Sequence, residues 1–418
     1  MSHRINLERS FLAAALCLAP LFAKSDDSTW EANYQRGRAE FDAGKYTQAI
    51  PLLKQALGQA RASSWTDFRF VESAYTLALA HQVLGQASEA EPLYLEAKAT
   101  VEQMGAAGRP LLGYVVESLG TLRFDQGRWK ESERLHREAT ALCTETHGPN
   151  HICTLTAQRS LGELMRTLGS FAEAERIFEP LISNLRRMPS PPQEFLAGSL
   201  ASLATLYLAE DRFDSAESLL HESLDVASKS GIAGPVLADT LLDLGQLYRL
   251  EHDFARAEPL LRKALAIYET RCDPHQAAAL NELGLLAIRE KKFAVARDYL
   301  NRSLRVYQKF TGTPALLPGR VKAAMAEAFL GERNVQQARS LIHEALSIEL
   351  EALGDQHCEY ARQLIVAAQV EQAAHRAGEA DTYYRQALTI YRRTFSNDQP
   401  ERSGAERNYA IFIQSLRK

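Results

Sequence analysis

A small residue recurs along this chain at a nearly constant interval, and this periodicity restricts the fold more than any other feature. The recurring residues are Ala49, Ala90, Ser132, Ala174, Ala216, Ala257, Ala296, Ala338 and Ala380. Subtraction of their numbers gives intervals of 41, 42, 42, 42, 41, 39, 42 and 42 residues. A period of this length predicts a stack of similar units, each of which buries its apolar face against its neighbours.

The stretch Leu161–Leu181 shows what one unit contains. Two sets of residues have the spacing of a helix face: Leu161, Gly162 and Met165, then Ala174, Phe178 and Leu181. Gly162 and Ala174 are small where two helices must approach closely, and Gly169 is expected to end the first helix. Each unit is therefore predicted to be an antiparallel pair of helices.

This pattern resembles the tetratricopeptide repeat, whose signature includes a Leu-Gly pair in the first helix and a small residue in the second. The longer period and the turns His147–His151 and Leu353–His357 are similar to the 42-residue repeats of kinesin light chains and many bacterial proteins. The resemblance implies an all-α, right-handed superhelical solenoid of antiparallel helix pairs. It also implies about nine repeats and a C-terminal capping helix.

The first 23 residues are expected to be a signal peptide. Arg4 and Arg9 precede the apolar run Phe11–Ala23, which is too short for a comfortable transmembrane helix. Cleavage would place the protein in the bacterial periplasm or outside the cell, with no integral membrane span. An uncleaved amphipathic segment, and with it a cytoplasmic protein, is the alternative.

The remaining chain is predicted to be one repeat array, residues 24–400, followed by the capping helix, residues 401–418. Three prolines in Met188–Phe195 end a helix there, and the unchanged period predicts an ordinary inter-repeat turn. In the capping helix, Tyr409, Ala410, Ile413 and Leu416 are expected to form the buried face.

Composition and motifs argue against several classes of function. With 48 basic and 52 acidic residues, the net charge of −4 does not favour nucleic acid as a partner. The nucleotide-binding, nucleophile-elbow and zinc-protease motifs do not occur, so no enzyme activity, catalytic residue or cofactor is predicted. An enzyme with a pocket between helices would need a cluster of His and carboxylate side chains facing inward.

One group of residues has the composition of a metal site. Cys143, His147, His151 and Cys153 lie within eleven residues at the predicted turn between repeats three and four. Their spacing does not match the usual zinc pattern, and the resembling family commonly has Gly and His in this turn. Turn formation is favoured over a metal, and a Cys143–Cys153 disulfide is a further alternative in an oxidising compartment.

The resemblance places the binding surface on the first helices, which line the inner groove of such arrays. The inward positions lie three residues before and one, four and five after the Gly162-type residue. The candidate peptide-binding residues are Phe124, Arg159, Arg166, Thr205, Leu208, Gln246, Arg249, Asn281, Ile288 and Arg289. The arginines are expected to contact an acidic or carboxylate-bearing peptide, unless they pair with Glu117, Glu163 and neighbouring carboxylates.

The predicted function is that of a non-catalytic scaffold or adaptor for a protein or peptide partner. In kinesin light chains, inner-helix asparagines hold the cargo backbone, but the segment Leu280–Gly284 keeps only Asn281, so cargo recognition of that kind is not expected. The alternative is a cytosolic regulatory or sensory array that binds a small ligand or peptide. The sequence does not determine an oligomeric state.

Overall fold

The computed structural model describes residues 28–232, 234–270, 274–309, 316–394 and 400–416. Within these ranges the chain forms nineteen α-helices and one 3₁₀ turn, Gly105–Ala107, and contains no strand. The predicted signal peptide, residues 1–23, lies outside the described residues.

The helices alternate as the period predicts, and consecutive helices pack against each other. The first helices of the pairs are α1 Ser28–Asp42, α3 Phe68–Val83, α5 Arg109–Asp125, α7 Ile152–Thr167, α9 Gln193–Ala209, α11 Pro235–Leu250, α13 Gln276–Arg289, α15 Leu316–Gly331 and α17 Cys358–Ala373. The second helices are α2 Tyr46–Ala62, α4 Ala87–Gln103, α6 Trp129–His147, α8 Phe171–Arg187, α10 Phe213–Lys229, α12 Phe254–Thr270, α14 Phe293–Lys309, α16 Val335–Leu353 and α18 Ala377–Thr394. A final helix, α19, spans Pro400–Leu416. The fold is an all-α array of helix pairs, as predicted.

A left-handed residue follows every first helix, two positions after its last residue and five positions before the small residue of the second helix. Four repeats use Gly44, Gly85, Gly127 and Gly169, with φ of 75°, 72°, 72° and 74°. The other five use Asp211, His252, Lys291, Arg333 and His375, with φ of 57°, 62°, 60°, 63° and 58°. After Gly169, the Ser170 N–H donates to the Met165 carbonyl at 2.9 Å, which closes the helix end. The prediction that Gly169 ends the first helix is confirmed.

The small residues permit the close approach of the two helices in a pair. A Cβ added to Gly162 would lie 2.7 Å from Cζ of Phe178, nearer than real Cβ contacts. The Phe178 ring and Ala174 are both fully buried. Burial of such a ring contributes roughly 2–3 kcal/mol, so the glycine stabilises the pair by making room for it.

The described chain divides into two compact units. Within the described ranges, the first unit contains residues 28–206 and His221–Leu237. The second contains Tyr207–Leu220, residues 238–309 and residues 316–416. The boundaries fall inside α9, α10 and α11, so each of these three helices contributes to both units.

Helix α19 packs on the last helix pair, but through a different face from the predicted one. The buried residues of this cluster are Ala368, Ala380, Tyr384 and Phe412. Tyr409 and Ile413 pack against the cluster as expected, whereas Ala410 and Leu416 are exposed. The prediction for Ala410 and Leu416 was wrong because it aligned Ala410 with the small first-helix residues. The ring of Phe412 instead determines how the helix is rotated.

The prolines of Met188–Phe195 lie between helices, as predicted. Helix α8 ends at Arg187 and α9 begins at Gln193. A proline lacks the N–H that continues a helix, and it disfavours helical backbone in the residue before it. The segment is therefore a turn between helix pairs.

Candidate functional site

One side of each first helix faces its own second helix, and another side forms a surface. A Cβ on Gly245 would lie 2.5 Å from Leu261, and one on Gly284 would lie 2.7 Å from Leu300. Residues advance by about 100° around a helix. The residues three positions before these glycines, and those one, four and five positions after them, therefore point away from the second helix. These four positions in each repeat are called here the first-helix face, counted from Gly120, Gly162, Ala204, Gly245, Gly284, Ala326 and Ala368.

In the first unit, the predicted binding residues are partly used in packing. Phe124 is half-buried, and its ring lies edge-on to Trp129 with centroids 5.3 Å apart. Arg159 is only 4% exposed, and its guanidinium lies 4.5 Å from the centroid of the Phe195 ring. Arg159 therefore joins α7 to α9. Arg166 and Thr205 are half-buried on the same face.

In the second unit, two predicted arginines are paired with carboxylates. Leu208, Arg249 and Ile288 are buried, Gln246 and Asn281 are half-buried, and Arg289 is exposed. Arg249 Nε donates to Glu282 Oε2 at 2.7 Å, and Arg289 Nη2 lies 3.4 Å from Glu327 Oε2. The alternative given above, that the arginines pair with carboxylates of the protein, therefore holds for Arg249 and Arg289. The role of the ten residues in binding stays a prediction.

Hydrogen bonds between successive first helices are a feature that sequence reasoning missed. Bonded pairs in the first unit include Tyr75 with Ser118, Gln82 with Asp125, Glu117 with Ser160 and Glu163 with Ser202. Their donor–acceptor distances are 2.9, 2.8, 2.8 and 2.8 Å. Each pair is separated by about one repeat period, so polar residues that recur at this period were the available signal. These bonds fix each first helix against the next.

The turn after α6 holds the candidate metal ligands in another arrangement. Cys143 and Cys153 form a disulfide with Cα atoms 5.6 Å apart, so their sulfurs are not thiolates. His147 Nε2 donates to the Pro110 carbonyl at 2.8 Å. His151 Nδ1 accepts from the Cys153 N–H and caps α7, and burial followed by the charge of His147 lowers the pKa of His151. The arrangement is that of a structured turn.

This disulfide occupies a position that recurs at other repeat junctions. Two residues define this position. One lies eleven residues after the small residue of a second helix, such as Ser132, and the other lies nine residues before the small residue of the following first helix, such as Gly162. These junction pairs include Val101/Leu111, Cys143/Cys153, Leu185/Phe195, Tyr268/His275 and Glu349/Glu359. Tyr268 and His275 stack with centroids 5.9 Å apart, whereas Val101 and Leu111 are both apolar and buried. The same junction thus contains a disulfide, an aromatic stack, an apolar pair or, at Glu349/Glu359, two carboxyl groups that share Arg320 as their ionic partner.

The ionic junction has two carboxyl groups with different pKa values. Burial raises the pKa of Glu349 to about 7, against the opposing charge of Arg320. Glu349 Oε1 accepts from Gln363 Nε2 at 2.7 Å. Burial also raises the pKa of Glu359, but the charges of Arg362 and Arg320 outweigh it and hold that pKa at about 2. These groups lie at a repeat junction, away from the first-helix face.

One concavity in the described part of the second unit is a shallow cleft of about 270 Å³. It is lined by Asp355, Gln356, Tyr360, Leu364, Arg385, Gln386, Thr389 and Ile390. Its volume is slightly below the range of typical small-molecule pockets, about 300–1,000 Å³.

The described residues contain neither a group of metal ligands nor a membrane-spanning helix. Among them, no group of three or more His, Cys, Asp or Glu side chains is placed to hold a metal ion. None of the helices that the structure describes has the length and apolar character needed to cross a bilayer.

Comparison with protein families identifies the repeat. Models described as tetratricopeptide repeat match residues 114–186 and 196–270, residues 8–64, 34–107 and 242–309, and residues 361–401. Together these ranges cover most of the chain. No curated protein sequence matches it.

Solved structures share the fold at low sequence identity. A Rap protein complexed with Competence and Sporulation Factor is 11% identical with a TM-score of 0.65, covering 88% of this chain and 99% of that one. The apo form of RapI is 12% identical with a TM-score of 0.52, covering 67% and 98%. A putative kinesin light chain protein from Podosopora anserina with nearly identical TPR-like repeats is 19% identical, covering 50% and 100%. Its TM-score is 0.42, so the kinesin-light-chain type of the repeat stays a prediction.

Proposed function

The chain belongs to the tetratricopeptide repeat family, and we propose that it is a non-catalytic scaffold that holds a protein or peptide partner against its first-helix face. One observation carries the proposal. In the second unit, Gln246, Leu285, Glu327 and Gln369 occupy the same position of four successive repeats, and all four are half-buried. A row of partly exposed side chains on packed helices is a preorganised surface for a partner.

The fold of the Rap protein supports this proposal in a limited way. That protein was crystallised with Competence and Sporulation Factor, and its fold extends over most of this chain. An array of this kind is therefore able to hold a second molecule. The identity of 11% transfers no residue role to this chain.

Affinity capture with matched variants tests the proposal. The full chain is immobilised and incubated with extract of its native source, beside a face variant, Gln246→Arg/Leu285→Arg. The control, Ala266→Arg/Asn301→Arg, adds the same charge to exposed residues on the second helices of the same repeats. We expect a partner that binds wild type and control but not the face variant, because two bulky cations block the row.

Circular dichroism must show equal helicity and equal thermal midpoints for the three proteins. A partner captured equally by all three would place the binding surface elsewhere and contradict the proposal. The paired and buried residues Arg159 and Arg249 are left unchanged in this experiment. Reversal of their charge would destabilise the packing itself.

We also propose that the protein acts in the periplasm or outside a bacterial cell. The Cys143–Cys153 disulfide supports this location because such bonds persist in oxidising compartments. N-terminal sequencing and thiol counting on protein from its native source test it. A start near residue 24 and an intact disulfide are expected. An intact Met1 with reduced cysteines would instead support the cytosolic regulatory or sensory array.

A further inference from the structure

The shallow cleft of the second unit, called here the repeat-nine cleft, contains polar side chains that the fold does not use. It is lined by the turn before α17, by α17 and by α18. Leu364 and Ile390 are its buried, apolar lining residues. The side chains of Asp355, Tyr360 and Gln386 make no hydrogen bond or ion pair with the residues that the structure describes. The cleft therefore combines unused polar groups with apolar surface.

The same turn occurs before α7 in repeat four, where a hydrogen bond closes it. Gly148 and Gly354 have the same place in the two turns, with φ of 90° and 83°. Six residues after Gly148, Thr154 is buried, and its hydroxyl donates to the Gly148 carbonyl at 2.8 Å. Six residues after Gly354, Tyr360 is half-buried and makes no such bond. The turn before α17 therefore lacks the bond that closes its counterpart.

Two other replacements distinguish the cleft from the same region of repeat four. There, Asn184 of α8 donates to Asn150 of the turn at 2.7 Å. The residue of α18 that corresponds to Asn184 is Ile390, whose side chain forms no hydrogen bond. Asp355 occupies the position of Pro149 and adds a carboxylate. Repeat nine thus has an apolar surface and a negative charge where repeat four has a pair of bonded amides.

The arginines near the cleft have partners in the protein. Arg385 Nε lies 2.8 Å from Asp381 Oδ2, and Arg393 Nη1 donates to Gln356 Oε1 at 2.7 Å. A ligand carboxylate would have to compete with Asp381 for Arg385. A ligand cation would instead meet Asp355, whose carboxylate has no partner among the described residues. The charges of the cleft therefore favour a cation.

The surroundings of Tyr360 agree with this preference. Burial, followed by the charges of Tyr383 and Asp355, raises the pKa of Tyr360. The phenol therefore stays protonated at neutral pH, and its surroundings disfavour a further negative charge. Its oxygen, the Asp355 carboxylate and Gln386 Oε1 are three acceptor groups, and an ammonium group has three N–H donors.

We propose that the repeat-nine cleft binds a primary alkylammonium group, carried by a free aliphatic amine or by a lysine side chain. The ammonium donates to Asp355, Tyr360 and Gln386, and the alkyl chain lies on Leu364 and Ile390. The volume of about 270 Å³ suits a small group of this kind. None of the lining residues belongs to the first-helix face, so this site is separate from the proposed partner surface.

Saturation-transfer NMR titrations of the full chain test the ligand class. Pentylamine is compared with pentanol and hexanoate, which keep the aliphatic chain without the positive charge, and with methyl glucoside. We expect pentylamine to bind about tenfold more tightly than pentanol, because a hydrogen bond to a carboxylate is stronger when the donor is charged. High salt should weaken the binding of pentylamine. Hexanoate and methyl glucoside should bind more weakly than pentylamine.

Variants of the lining residues locate the bound amine. Asp355→Asn removes the charge and keeps the shape, and it should weaken the binding of pentylamine by about tenfold. Tyr360→Phe removes one neutral acceptor and should weaken it by about threefold. The control, Asp298→Asn, makes the same change at an exposed position of α14 and should bind as wild type does. Equal thermal midpoints are expected for Asp355→Asn, because the Asp355 side chain has no partner within the described ranges.

A second arm of the experiment distinguishes the two sources of the ammonium group. Nα-acetyl-lysine methylamide carries the same group on a peptide backbone. Binding as tight as that of pentylamine would support a lysine side chain, whereas loss of binding would support a free amine. Equal binding of pentylamine to wild type and Asp355→Asn, tighter binding of hexanoate or methyl glucoside, or binding of no probe would each overturn the proposal. The scaffold function would stand in all of these cases, because it depends on the first-helix face.

Discussion

At the scale of single residues, Lys291 and Arg333 occupy the left-handed position that glycine fills in four other repeats. A side chain in this conformation costs about 1 kcal/mol because Cβ crowds the following carbonyl. Lys291→Gly and Arg333→Gly are therefore each expected to raise the free energy of unfolding by about 0.5–1 kcal/mol. Urea unfolding followed by circular dichroism measures the change.

Gly169→Ala is the matched control, since it introduces the same crowding where glycine now stands with φ of 74°. It should lower the free energy of unfolding by about 1 kcal/mol. If neither Lys291→Gly nor Arg333→Gly stabilises the protein, other contacts of these side chains offset the backbone cost. The period locates all nine turns, but the sequence cannot show that five non-glycine residues adopt a conformation they disfavour.

Glu349 predicts a pH dependence of stability. Its pKa is raised from 4.5 to about 7 in the folded chain, so the folded state binds the proton more tightly than the unfolded state. The contribution of Glu349 to the free energy of unfolding is fully present below pH 4.5 and is lost as the pH rises through 7. Glu349→Gln removes this loss, and we expect it to stabilise the protein at pH 8 by about 2–3 kcal/mol relative to wild type.

Thermal unfolding at a series of pH values measures the effect of Glu349→Gln. Glu351→Gln serves as its control because Glu351 is an exposed carboxylate on the same helix. The Glu351 variant should follow the wild-type curve. Parallel curves for Glu349→Gln and wild type would mean that burial does not disfavour the charged form of Glu349.

At the scale of elements, the repeat junctions use different chemistry for one geometric task. The disulfide joins α6 to α7 across 10 positions of sequence. Gly113 of α5 makes room for it, because a Cβ there would lie 2.6 Å from the Cys143 sulfur. A neighbouring junction uses the apolar pair Val101/Leu111. Covalent linkage is therefore one of several solutions to holding adjacent repeats together.

Reduction of the disulfide is expected to lower the free energy of unfolding by about 2–3 kcal/mol, the value for closure of a loop this short. Thermal midpoints with and without a dithiol reductant measure the change, and alkylation counts the thiols. Cys143→Val/Cys153→Leu, which copies an apolar junction, should be insensitive to the reductant. Two free thiols in the unreduced protein, or an equal shift in the variant, would contradict this prediction.

At the scale of the whole molecule, a repeat array is stabilised mainly by contacts between neighbours, so its ends need a cover. In the second unit that cover is α19, whose Phe412 is 1% exposed against Tyr384. Phe412→Ala should cost about 3–4 kcal/mol, confined to the last helices. Hydrogen exchange should then quicken in α18 and α19 and stay unchanged in the helices of the first unit.

Ile411→Ala is the control for Phe412→Ala, because Ile411 is 59% exposed on the same helix. Its effect should stay within about 0.5 kcal/mol. A comparable effect of the two changes would mean that α19 does not dock through Phe412. The capping helix was predictable from the period, but its rotation was not, because several apolar residues compete for the buried face.

The sequence by itself determined the period, the helix pairs, the position of each turn and the all-α class. These follow from the spacing of small and apolar residues over one or two helical turns, which local backbone geometry controls. The tertiary structure decided which polar groups of the first-helix face are already used. It paired Arg249 with Glu282, placed Arg159 against Phe195 and joined Cys143 to Cys153. Such partners come together when helices stack, and the distance between them depends on packing that no local pattern encodes.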